Sequence, residues 1–112
     1  MDPGDWQIVL SDEVDRWWGT LSPADTDRAR VAINRLRTLG PRLRMPHSRQ
    51  LSHSLWELRF RCDNAHQRIT YTIDADRRIV TLTRFRKQRN NERNEVRRAQ
   101  GALTRFQEGE HR

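Results

Sequence analysis

The chain has 112 residues, of which 34% are hydrophobic and 33% charged, with a net charge of +7 and a pI near 11.2. That length allows a single domain, expected over 1–112, with one modest core, and the clustering of apolar residues in periodic runs excludes a disordered chain. A basic balance of this size points toward polyanions, nucleic acid first, although arginine-rich composition alone is equally consistent with a GC-rich genome.

Cys62 is the single cysteine, which excludes an internal disulfide and suits a reducing cytoplasm. The acidic start "MDPGDWQIVL" predicts no signal peptide, and no stretch approaches the roughly 18 apolar residues of a membrane span. A cytoplasmic protein without membrane contact is expected.

In chain order, "DWQIVL" (5–10) predicts a short first strand, followed by Ser11 as a helix cap. Val14, Trp17, Trp18 and Leu21 recur at the spacing of one helix face. "SPAD" (22–25) supplies an N-cap serine, a proline at the first helical position and an acid closing a capping box. The second helix carries Ala29, Ala32, Ile33, Leu36 and Leu39 on one stripe and stops at Gly40–Pro41. "PRLRMPHSRQLSHS" (41–54) has two prolines and no period, and reads as an ordered loop.

Three strands then alternate. Trp56, Leu58, Phe60 and Cys62 face one way in 55–62, and Ile69, Tyr71 and Ile73 do so in 68–73. The third, 78–85, is apolar at Ile79, Val80 and Leu82. A closing helix begins near Asn91, with frayed ends expected at 1–4 and 108–112. The predicted fold is α+β, in the order β-α-α-β-β-β-α, with an antiparallel sheet packed on an N-terminal helical hairpin and a C-terminal helix.

If Trp56, Leu58, Phe60, Ile69, Tyr71 and Ile73 are buried against the hairpin, the opposite sheet face carries Glu57, Arg59, Arg61 and Arg68. Cross-strand neighbours lie only about 5 Å apart at Cβ, so like charges there repel. The cluster therefore implies either a bound anion such as phosphate, which arginine grips with paired hydrogen bonds, or pairing with Glu57 and acids of the last helix. If Val80 and Leu82 face the core, Phe85 and Lys87 join this face, with Phe85 as a stacking platform for a base. Arg84 and Arg86 then point away unless a bulge intervenes.

The segment "RFRKQRNNERNEVRRAQ" (84–100) holds seven cations and two acids, a local +5 of the chain's +7. His47, His53, His66 and His111 show no metal-ligand spacing, and no cofactor motif is present. Glu57 is a candidate general base or a charge partner that orients Arg59. Cys62 is expected to be buried and inert.

Four stretches together carry a family resemblance: "VDRWWGTLSPADTDRARVAINRLRTLGP", "LRMPHSRQLSHSLWELRFR", "QRITYTIDADRRIVTLTRF" and "RFRKQRNNERNEVRRA". In this order the chain resembles the toxins of the RelE/ParE superfamily of type II toxin–antitoxin modules, in the HigB-type, phage-derived branch. The resemblance implies a ribosome-dependent mRNA endoribonuclease that needs no metal or cofactor and leaves a 2′,3′-cyclic phosphate. It implies catalytic roles for Arg59 (the arginine of "ELR"), Arg68 (opening the next strand) and Lys87 (the first basic residue after the aromatic). Arg61, Phe85, Arg86 and Arg89 are the expected RNA contacts.

The implied partners are the ribosome and a HigA-like helix-turn-helix antitoxin, through which alone the toxin would meet operator DNA. Gln88 and Asn90–Asn91 depart from the second lysine and Thr-Pro common in the branch, which puts the second basic contact in doubt. A gyrase poison of the ParE kind and a non-catalytic binding or co-repressor module are the alternative readings.

Overall fold

The computed structural model describes residues 4–110, and the expected fraying of 1–3 and 111–112 lies outside the described residues. The elements are β1 (Gln7–Val9), α1 (Asp12–Trp18), α2 (Pro23–Leu39), a 3-10 turn (Gly40–Arg42), β2 (Ser48–Ser52), β3 (Leu55–Cys62), β4 (Ala65–Asp74), β5 (Arg78–Arg86) and α3 (Glu92–Glu110). The predicted order holds, with one strand added: β2 lies within the segment expected to be a loop. Residues 108–110, expected to fray, continue α3.

The helical hairpin forms as its caps dictate. Ser11 Oγ accepts the Val14 amide and Ser22 Oγ accepts the Asp25 amide, each at 3.2 Å, with Pro23 at the first helical position of α2. Gly40 ends α2 at φ +53°, ψ −129°, a backbone that favours glycine, and a Cβ there would run into the Trp6 indole.

One five-stranded sheet has the order β1-β5-β4-β3-β2. It is not wholly antiparallel, because β1 pairs parallel with β5 after the hairpin carries the chain across. Asp63 and Asn64 join β3 to β4, both at positive φ, as a tight two-residue hairpin requires.

Two cores flank the sheet. On one face Leu58, Cys62, Ile69, Tyr71 and Ile79 pack with Val14, Trp17, Ala29, Ile33 and Leu36 of the hairpin, while Trp18 sits at the edge. On the other, Leu55 and Leu82 pack against Ala99 and Leu103 of α3. Leu82 therefore faces α3 and not the hairpin, as does its face-mate Val80, which pairs with Thr72. α3 lies over the Leu55–Leu82 end of this face, and its first residue, Glu92, reaches toward the other end through Arg49.

Candidate active site

Strand register brings Arg59 of β3 opposite Arg68 of β4, and Arg68 opposite Phe85 of β5. The next row holds Arg61 opposite His66, whose carbonyl accepts the Lys87 amide at 2.8 Å. Phe85 reaches this face through a bulge. Ile69 pairs with Arg84 but Tyr71 with Thr81, so Leu82 and Thr83 together face Thr70. The Thr70 hydroxyl lies 2.6 Å from that of Thr83 and accepts its amide at 3.0 Å. The extra residue reverses the parity of everything after it. The expected outcome, Phe85 beside the arginines and Arg84 and Arg86 turned away, thus arises from the bulge and not from Val80 and Leu82 facing the hairpin.

Glu57 lies at the centre of the cluster and is fully buried. Its Oε2 lies 3.4 Å from Arg49 Nε and 3.7 Å from both Arg59 Nε and Arg68 Nε. None of these contacts has hydrogen-bond geometry, and among the described residues both carboxylate oxygens lack a hydrogen-bond partner. Burial pushes the Glu57 carboxyl above the ordinary carboxylate range, with Arg49, Arg68 and Arg59 pulling it back only in part. Burial likewise lowers the Arg68 guanidinium, and Arg59 adds repulsion. Glu57 is fully buried in this conformation, and the side chains nearest its carboxylate are the guanidinium groups of Arg49, Arg59 and Arg68.

Lys87 stands at the mouth of the cluster, its Nζ donating to the Gln88 carbonyl at 3.1 Å and lying 4.0 Å from Glu92 Oε2. The turn behind it is made by the two asparagines that depart from the branch pattern. Asn90 adopts φ +67°, and the Asn91 side chain accepts the Gln88 amide and donates to the Arg86 carbonyl. Arg59, Arg61, His66 and Arg68 line a hollow of about 340 Å³ with Met45 and Pro46.

The expected RNA contacts are spread over both faces of the sheet and the turn before α3. Phe85 is only 4% exposed, so its ring packs in the protein and is no open stacking platform. Arg86 pairs with Gln67, on the hairpin side of the sheet. Arg89 is exposed in the turn before α3, apart from the Glu57 cluster. Arg61 is exposed at the hollow, its Nη1 3.4 Å from His66 Nε2.

A second ion-pair group braces the site from behind. Glu13 of α1 accepts the Arg84 amide at 2.7 Å and both Arg98 Nη groups at 2.6 and 2.9 Å. Burial would raise the Glu13 carboxyl, but the bonds from Arg98 and Arg84 hold it below its ordinary value. Arg98 is tied to α1, to Glu95 and to the Arg84 carbonyl.

Residues 16–107 match the family described as phage-derived protein Gp49-like (DUF891). The chain belongs to this family. No curated protein matches this Gp49-like chain. Among solved structures, its fold is similar to that of E. coli toxin RelE, a double arginine-to-alanine mutant in the free state. The TM-score is 0.61 at 12% sequence identity, over 90% of this chain and 97% of that one. The expected RelE-type fold is thus found.

Reading the sequence of this Gp49-like chain missed Arg49, Glu92 and His66. Arg49 was passed over with the strand that carries it. Glu92 was read among the acids of the last helix that could pair with the arginine face, without its partner Arg49. His66 was set aside for want of a second histidine, whereas its place opposite Arg61 is visible once the Asp63–Asn64 turn fixes the register. No helix among the described residues is long and apolar enough to cross a membrane.

Proposed function

We propose that this chain is the toxin of a type II toxin–antitoxin module, an endoribonuclease that cuts mRNA on the ribosome and arrests growth. The observation that carries the reading is the convergence of Arg49, Arg59 and Arg68 on one buried carboxylate, with Lys87 joined to Arg49 through Glu92. Four cations against Glu57 and Glu92 leave a net +2 in the cluster, placed to receive phosphate. A family match over 16–107 and a RelE-like fold support the same reading.

In the proposed reaction a ribose 2′-oxygen attacks the adjacent phosphorus. The P–O5′ bond breaks, giving a 2′,3′-cyclic phosphate and a 5′-hydroxyl. The 2′ proton leaves and one is delivered to the 5′-oxygen. Arg68, Arg59 and Lys87 act on the charge that grows on the phosphoryl oxygens, and cations fixed beforehand lower that barrier without reorganising. Glu57 fixes the guanidinium groups. Arg61 and His66 line the approach, and His66 is a side chain there able to exchange a proton. The ribosome holds the message in line, a positioning contribution. A helix-turn-helix antitoxin of the HigA kind is the expected partner, and operator DNA is met through it.

The test is expression of the chain in cells with primer extension on abundant mRNAs. Codon-positioned cuts that need translation, lost in Arg68→Ala and Lys87→Ala while antitoxin binding persists, bear the reading out. Intact mRNA with a DNA-damage response would point instead to gyrase. No toxicity at all would point to a binding module.

A further inference from the structure

Glu92 is an internal anion on the proposed substrate face. It opens α3, and its carboxylate links β2 to the turn after β5: Oε1 accepts Arg49 Nη2 at 2.6 Å, and Oε2 lies 4.0 Å from Lys87 Nζ. Arg49 is thereby shared, with Nε toward Glu57 at 3.4 Å and Nη2 toward Glu92. The two acids differ in one decisive respect. The Glu57 side chain is 0% exposed, whereas those of Arg49, Glu92 and Lys87 are 43%, 33% and 32% exposed. Glu57 is fixed; Glu92 sits where solvent, and hence a ligand, can reach both cations.

We propose that Arg49 and Lys87 form a phosphate seat that Glu92 fills in the free protein and that a backbone phosphate of RNA takes over on binding. A phosphodiester presents two charged oxygens, as a carboxylate does, and arginine grips both in the same two-pronged manner. An exposed ion pair contributes little to stability, so exchanging the glutamate for a phosphate is easy, while the buried Glu57 stays to hold Arg49 Nε. The seat adjoins the Arg59–Arg68 pair and shares Lys87, given above a part in the reaction, with it. One chain of ribonucleotides would thus be held at two points: one phosphate over Arg59 and Arg68, another between β2 and the start of α3. The first turn of α3, which the Asn90–Asn91 turn fixes, then acts as a competitor for the seat. This inference rests on the proposed RNA-binding role of the same face.

The experiment is fluorescence anisotropy with a 5′-labelled single-stranded RNA, 2′-O-methylated throughout so that it cannot be cut, across a salt series. The proteins are the wild-type chain, Glu92→Gln, Arg49→Gln, the double variant and Arg68→Ala, each checked for folding by a thermal melt. With the competitor neutralised, Glu92→Gln binds about fivefold tighter and its log K against log[salt] steepens, because no displaced carboxylate takes up a cation on release. Arg49→Gln removes that gain in the double variant. If Glu92→Gln matches the wild type in affinity and slope while Arg68→Ala has lost binding, the seat is wrong and the cationic cluster stands. If Arg68→Ala binds as tightly as the wild type, the cluster is not the RNA site and the seat falls with it.

Discussion

The Glu57 carboxylate lies 3.7 Å from the Arg68 guanidinium, with Glu57 wholly buried, Arg68 only 6% exposed, and no hydrogen bond between them. A buried charge pair with poor hydrogen bonding is a costly arrangement. It is kept at a point where Arg49 and Arg59 also converge. Replacing Glu57 with glutamine preserves shape but leaves the buried Arg68 uncompensated. Glu57→Gln is expected to destabilise the fold by no more than about 1 kcal/mol, because burial already disfavours the ionised carboxylate and Arg49 and Arg59 can turn to solvent. It should also slow RNA cleavage by about a hundredfold through displaced guanidinium groups. Urea unfolding and a ribosome-dependent cleavage assay measure the two losses separately. A variant that loses stability but cleaves at the wild-type rate would show that Glu57 does not position the site.

Acid should weaken the brace between α1, β5 and α3. Glu13 titrates below its ordinary 4.5 in the folded chain, because Arg98 and the Arg84 amide favour its ionised form over the cost of burial. Its contribution is therefore fully present above the unfolded value near 4.5 and is lost as pH falls through the lower folded value. Glu57 works in the opposite sense. Its raised value favours the folded state most at low pH, and that advantage declines as pH rises from 4.5. Comparing the wild type with Glu13→Gln isolates the first effect. The variant should be less stable at pH 7 by about 1 kcal/mol, a figure kept low because the pair is partly solvated. By pH 3 the difference should have narrowed clearly in denaturant melts.

Gly40 allows a sharper test of the hairpin's docking. Its φ of +53° disfavours any side chain, and an added Cβ would meet the Trp6 ring, which also stacks under Arg77 at 4.6 Å. Gly40→Ala should destabilise the fold by about 3 kcal/mol or more, combining backbone strain with displacement of the indole. The drop in Tm should be accompanied by a change in Trp fluorescence, since a shift of Trp6 is part of the expected cost.

The three helices, the caps of the hairpin and four of the five strands were legible because each carries an apolar run or stripe with the right period. Arg59 and Arg68 could be placed on one face for the same reason: the alternation of Trp56, Leu58 and Phe60 fixes the parity of their neighbours. β2 was not legible. Its inward residue is Ser48, which is buried at 2% exposure and satisfied by Tyr71, so the strand shows no hydrophobic alternation. The bulge opposite Thr70 was equally hidden, since hydroxyl groups of two threonines make it. Buried polar contacts decide both features, and a hydrophobic pattern carries no trace of them. Arg49 and the burial of Phe85 went unread as a result.

The same Ser48–Tyr71 contact yields the last prediction. The two hydroxyls lie 2.5 Å apart, and burial pushes the Tyr71 phenol up to about 12. Ser48 pairs with Leu58 on the hairpin side, and the next residue, Arg49, pairs with Glu57 on the other. The bond thus pins the register that delivers Arg49 to the cluster. Ser48→Ala leaves the Tyr71 hydroxyl buried without that partner, which costs about 1–3 kcal/mol. Removing both partners with Ser48→Ala and Tyr71→Phe should recover part of that loss, because no orphaned hydroxyl remains. RNA affinity separates packing from register. If the bond serves only packing, the double variant binds RNA like the wild type. If it holds β2 in place, RNA affinity stays reduced in the double variant even where stability has returned, and loosened β2 amides show it in hydrogen exchange.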